Sequence, residues 1–145
     1  MRRREVVRLL LGAPILLAPR QGFTLGDRSR FKLTQLLYSG GNPRPRPTGL
    51  RRLAWEVEKR TSVDVDLEPR LIRFSDRTLF QHPFLYLGGD KAFDPLPQAD
   101  LRRLRRHLVF GGFLLVDSAD ARPGGGFDRS ARALVAALFP KKRLE

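Results

Sequence analysis

The sequence predicts one α/β domain, a doubly wound and mostly parallel sheet with helices on both faces. Three observations predict it. Phe84-Leu85-Tyr86-Leu87 and Phe113-Leu114-Leu115-Val116 are continuously apolar, as strands covered on both faces are. Between and around them apolar residues recur at i, i+3, i+4 and i+7, the period of a helix with one buried face. The resulting order, strand, helix, strand, strand, helix, strand, helix, is that of a parallel sheet wound by crossover helices.

Taken in order, Phe31 to Leu37 mixes apolar and polar residues as a strand, and Tyr38-Ser39-Gly40-Gly41-Asn42 breaks the pattern. Pro43, Pro45 and Pro47 alternate with Arg44 and Arg46, so this stretch is extended, because each proline pushes its predecessor out of helical space. Thr48 is placed to cap a helix whose inner face is Leu50, Leu53, Ala54 and Val57, running to about Arg60. Val63-Asp64-Val65-Asp66-Leu67 alternates as a strand that Glu68-Pro69 should end, and Leu71 to Phe74 reads as a separate short strand. The Phe84–Leu87 strand stops at Gly88-Gly89-Asp90. Leu101, Leu104 and Leu108 mark the next helix, with Arg102, Arg103, Arg105 and Arg106 on its outer side and Gly111-Gly112 closing it. The Phe113–Val116 strand ends at Asp117, and after Pro123-Gly124-Gly125-Gly126 a last helix is capped by Asp128, with Ala131, Leu134, Val135 and Leu138 inward. The architecture is flavodoxin-like.

Residues 1–22 are set apart as a leader. Four arginines precede the short uncharged run from Leu9 to Pro19, the layout of a secretory signal, and the run is too short to span a bilayer. Arg3-Arg4-x-Val6-Val7-Arg8 resembles a twin-arginine export signal, which makes Arg3 and Arg4 the export residues and the periplasm or cell envelope the expected location. Pro19 behind Ala18 makes a poor cleavage site, so a basic helix retained in the cytoplasm is the alternative. No transmembrane span is expected.

Composition excludes several chemistries. The chain of 145 residues has no cysteine, hence no disulfide, thiolate nucleophile or cysteine-held metal. His82 and His107 lack the spacing of a zinc site, and neither a metal nor a cofactor is expected. Neither a P-loop nor a nucleophile elbow occurs, because Gly124-Gly125-Gly126 lacks a following Lys-Ser/Thr and no Gly-x-Ser-x-Gly is present. A net charge of +13 favours anionic partners, nucleic acid among them, although aromatics are not interleaved with the Arg102–Arg106 face.

In an open parallel sheet the crevice lies beyond the carboxyl ends of the strands. The candidate ligand-binding residues are therefore Gly40, Gly41, Asn42, Gly88, Gly89, Asp90 and Asp117. Glycine there admits a ligand close to the backbone, and a carboxylate binds a hydroxyl or a cation. The competing reading is that the glycines make tight turns and the aspartates cap helices.

Residues 31–145 resemble the bacterial domain-of-unknown-function family 4159. The resemblance runs through Gln35-Leu36, Tyr38, Gly40-Gly41-Asn42, Arg46-Pro47-Thr48, Leu50 to Glu56, Glu58 to Ser62, Pro83 to Leu87, Gly89-Asp90, Gly111 to Asp117 and Gly126-Phe127-Asp128. It implies a class I glutamine amidotransferase-like fold in envelope proteins. Amidotransfer needs a cysteine activated by a histidine, so the resemblance implies the fold without that chemistry. Pro43-Arg44 stand where it leads one to expect Trp-Asn, and the pattern extends beyond Phe139-Pro140, so the chain is expected to be the front part of a larger domain. The function expected first is non-catalytic binding of a small ligand or an envelope protein partner at the strand-end corners. Two others are an enzyme using Asp90 or Asp117 as acid and base, and a cytoplasmic nucleic-acid-binding protein.

Overall fold

A computed structural model describes residues 30–142. Four parallel strands form one sheet in the order β2-β1-β3-β4: β1 Phe31–Leu37, β2 Val65–Arg73, β3 Phe84–Gly89 and β4 Phe113–Ser118. Helix α1, Gly49–Arg60, follows β1; α2, Gln98–Val109, joins β3 to β4; and α3, Gly126–Leu138, follows β4. A short 3-10 turn, Arg77–Gln81, precedes β3.

The strands alternate faces, and the helices divide between them accordingly. Leu50 and Ala54 of α1 pack on Leu33, Val65 and Tyr86. On the other face Leu101 and Leu104 of α2 and Phe127, Ala131, Leu134 and Leu138 of α3 cover Leu36, Ile72, Leu85 and Leu87. Helices on both faces of a parallel sheet make this a doubly wound, flavodoxin-like α/β fold.

The structure corrects four local expectations. Val65–Arg73 is one strand, and Glu68-Pro69 do not end it. The register advances from Lys32↔Asp66 to Thr34↔Arg70, so β2 bulges outward across Leu67, Glu68 and Pro69. Proline is tolerated there because β2 is an edge strand and the bulge needs no ladder N–H from it. Thr48 precedes α1 but its side chain makes no capping bond. Gly125, not Asp128, is the residue before α3, and Asp128 sits in the first turn.

The fourth correction concerns β4. Sequence reading expects it to be covered on both faces, yet among the described strands it lies at the sheet edge, with Phe113 55 % exposed. Helix α1 lies over β1 and β2 and leaves this side of the sheet open. The Phe113 ring instead stacks on Phe84, centroids 5.5 Å apart.

Candidate functional site

All four strands deliver their carboxyl ends to one side of the domain. In the β3–β4 register Gly88 lies beside Asp117 and Gly89 beside Ser118, so Asp90 and Asp117 emerge from adjacent strands. The first corner comes from β1, where Gly40 and Gly41 take φ of +73° and +59°, left-handed values that favour glycine.

Two polar links tie the corners together. Asn42 Nδ2 donates to Asp90 Oδ2 at 3.1 Å, joining the first corner to the second. Asp117 Oδ2 accepts from the Tyr86 hydroxyl and from Arg46 Nη1, each at 2.6 Å. Arg46 belongs to the proline-rich segment, so this ion pair, half-exposed on the arginine side, holds that segment against the end of β4. Gln35 reinforces it from within the sheet: buried in β1, its Nε2 donates to the carbonyl of Pro43.

The Tyr38 hydroxyl lies 2.9 Å from the carbonyls of both Asn42 and Gly88. Burial, with the negative charge of Asp90 adding to it, pushes this phenol up to about 12. Tyr86 is raised as well, first by burial and then by its bond to Asp117. Both phenols therefore stay protonated near neutrality and serve as donors. Tyr86→Phe is expected to cost about 1.5 kcal/mol, the worth of a hydrogen bond to a charged group, read as a lower urea midpoint at unchanged slope.

The glycines of these corners are filled by the protein itself. A Cβ on Gly88 would stand 2.7 Å from Cε1 of Tyr86, whose ring lies along the strand on its way to Asp117. A Cβ on Gly89 would meet the Phe127 ring at 2.1 Å. One on Gly40 would meet the Asp94 carboxyl carbon at 2.9 Å, and one on Gly41 the Ala92 carbonyl oxygen at 2.6 Å. These four residues shape the site by allowing close packing. The polar groups of the site are Asn42, Asp90 and Asp117, joined by Tyr38, Tyr86 and Arg46, which sequence reading did not single out as site residues. The signal for the tyrosines was a hydroxyl inside an otherwise apolar run, and for Arg46 a cation fixed between two prolines.

Three further features complete this side. A cavity of about 160 Å³ opens at the ends of β1 and β2, lined in part by Ser39, Arg73, Ser75, Asp94 and Asp100. Asp90 Oδ1 is buried without a hydrogen-bond partner. The N-terminus of α3 is already taken: Asp128 accepts from the Gly124 N–H at 2.8 Å and from Arg132 at 2.9 Å, and these bonds, the Gly124 one foremost, lower its pKa. A carboxylate of the chain thus stands where an anion would bind.

The two histidines lie at the other end. His82 precedes β3 and His107 is in the last turn of α2, both beside strand starts. Among the described residues no cluster of three or more His, Asp or Glu could hold a metal ion, and no helix is long and apolar enough to cross a membrane. Arg3 and Arg4 lie outside the described residues.

No curated protein matches the chain significantly. Residues 32–145, from the second residue of β1 onward, match a family over most of the chain's length. The protein belongs to the family described as Domain of unknown function (DUF4159).

Proposed function

We propose that the chain is a non-catalytic binding domain of the bacterial cell envelope, with an amidotransferase-like fold. It holds a small hydrogen-bond donor, a hydroxyl- or amine-bearing ligand or a segment of an envelope partner, at the carboxyl end of its sheet. The observation that carries this reading is the set of carboxylate acceptors at that end. Asp90, Asp94 and Asp117 gather there beside a polar cavity, with Arg46 already engaged by Asp117. Such carboxylates accept hydrogen bonds, and Arg73 stands with Asp94 in the cavity lining.

The lack of catalysis is argued from the same geometry. Both imidazoles are at the opposite end, so no histidine stands beside the Ser118 hydroxyl, which donates to Asp120 at 2.6 Å. Asp117 is already engaged by Arg46 and Tyr86. The envelope location is carried by the leader-like residues 1–22.

Two experiments test the two halves. Amide shifts of the full chain would be followed while polyols and diamines are added at millimolar concentration. Shifts confined to Ser39–Asn42, Ser75 and Asp94, and abolished by Asp94→Ala, are expected; an unperturbed strand-end set would remove the binding reading. For location, Met1–Arg30 fused to a folded reporter should be exported in a twin-arginine-competent host, and the Arg3→Lys, Arg4→Lys version retained. Retention of both would return the domain to the cytoplasm.

A further inference from the structure

The opposite end of the domain has a different character. In a wound parallel sheet the strand starts and helix C-termini share one end, and here that end is aromatic and basic. Five of the ten phenylalanines are there. Phe31, Phe84 and Phe113 open β1, β3 and β4, with ring centroids 6.2 and 5.5 Å apart along the series. Phe110 follows α2, and Phe80 lies in the turn before β3. Phe110 is 78 % exposed and Phe80 49 %, and Val109 beside Phe110 is also exposed.

Cations surround these rings. The Arg106 guanidinium stands 6.0 Å from the Phe80 centroid and 5.9 Å from that of Phe110. Arg105 neighbours it, and Lys141 and Lys142 follow the end of α3 at the same end of the fold. The acids of this end, Glu58, Asp64 and Asp66, belong to α1, the approach to β2 and the start of β2, at the edge of the sheet opposite β4. Asp66 is neutralised by Lys32 at 3.0 Å.

Single exposed apolar side chains need no explanation, but exposed aromatics gathered around cations form a patch with a definite complement. Basic side chains at helix C-termini also favour the helix dipoles; that accounts for the cations and not for rings left in water. A second copy of this chain would bring like charge against like charge. A negatively charged lipid surface offers both what the rings need and what the arginines need.

We propose that the end of the domain formed by Phe80, Arg106, Phe110, Phe113, Lys141 and Lys142 docks on an anionic phospholipid bilayer, with the phenylalanines at the headgroup boundary and the cations on lipid phosphates. The chain enters the domain at this same end. Phe31 opens β1, and the residues before it include the arginines and the apolar run Leu9–Leu17. Docking leaves the carboxyl end of the sheet facing away from the membrane. The proposal does not rest on the ligand suggested for that end.

Co-sedimentation of the full chain with vesicles tests it, using equal parts phosphatidylglycerol and phosphatidylcholine against phosphatidylcholine alone. Binding to the anionic vesicles only is expected, weakening with salt. Because residues 1–18 are themselves basic and apolar, the variants carry the decision. Arg106→Ser should weaken binding about fivefold, and Phe110→Ser about tenfold. Both side chains are exposed, so each variant should melt with the parent. Binding that ignores Phe110→Ser, equal binding to neutral vesicles, or no binding at all overturns the proposal. So does displacement by RNA with no phenylalanine dependence, which would mark a general polyanion surface, or a dimer that Phe110→Ser dissociates.

Discussion

Gly89→Ala is expected to cost the domain about 3 kcal/mol, the upper end of what one added methyl does in a packed core. The new Cβ would stand 2.1 Å from Phe127 Cδ2 and 2.4 Å from the Tyr38 hydroxyl oxygen. Phe127 is fully buried against Phe93, with ring centroids 5.5 Å apart, so it has nowhere to swing. The strand cannot retreat either, because Gly89 is paired with Ser118 and its carbonyl accepts from the Ala119 N–H at 2.8 Å. Urea denaturation should show a lower midpoint at unchanged slope. Phe127→Leu, destabilising alone, should restore part of the loss when combined with Gly89→Ala, since both act on one contact. Strict additivity of the two would show that the cost arises elsewhere.

That contact also marks where sequence reading stopped. The doubly wound fold, the ends of β1, β3 and β4 and the closure of α2 by Gly111-Gly112 were legible, because periodicity and glycine placement report local conformation directly. What Gly88 and Gly89 are for was not legible. A glycine pair after an apolar strand suits a ligand approaching the backbone as well as it suits a neighbouring ring. Only the register, which sets Tyr86, Tyr38 and Phe127 against those two positions, tells one from the other. Phe127, next to a run of three glycines, looked like loop and is among the best-buried side chains of the domain. The Glu68-Pro69 pair misled for a related reason: proline ends a central strand but not a bulged edge strand, and edge status is a property of the whole sheet. The exposed face of β4 follows from the same fact, since an apolar run says that a strand is meant to be covered and not what covers it.

The second large effect is expected from pH, through His107. Its ring is 5 % exposed, and its Nε2 is buried with no hydrogen-bond partner. It occupies the space that a bare Gly112 leaves, where a Cβ would come within 2.1 Å of Nε2. The groups facing it are the Phe80 ring, centroids 6.1 Å apart, and His82, whose charge adds to the effect of burial. Burial first and His82 second lower its pKa below the ordinary 6.5, so the native imidazole is neutral where the unfolded one has begun to take a proton. Stability is therefore fully present above pH 6.5. It falls as pH drops below 6.5 toward the lowered native value, by up to about 1.4 kcal/mol per pH unit, because the unfolded state binds the extra proton. The carboxylates whose pKa values are lowered, Asp66, Asp76, Asp120 and Asp128 from 3.8 and Glu56 from 4.5, act in a separate window, since they begin to weaken the fold only near and below those values. Urea midpoints between pH 7.5 and 5 thus isolate the histidines. His107→Leu should flatten most of the slope and leave the smaller share of His82, whose pKa is lowered too. A slope unchanged by His107→Leu would mean that the ring reaches solvent and proton before the fold opens, and that its burial against Gly112 does not persist in solution.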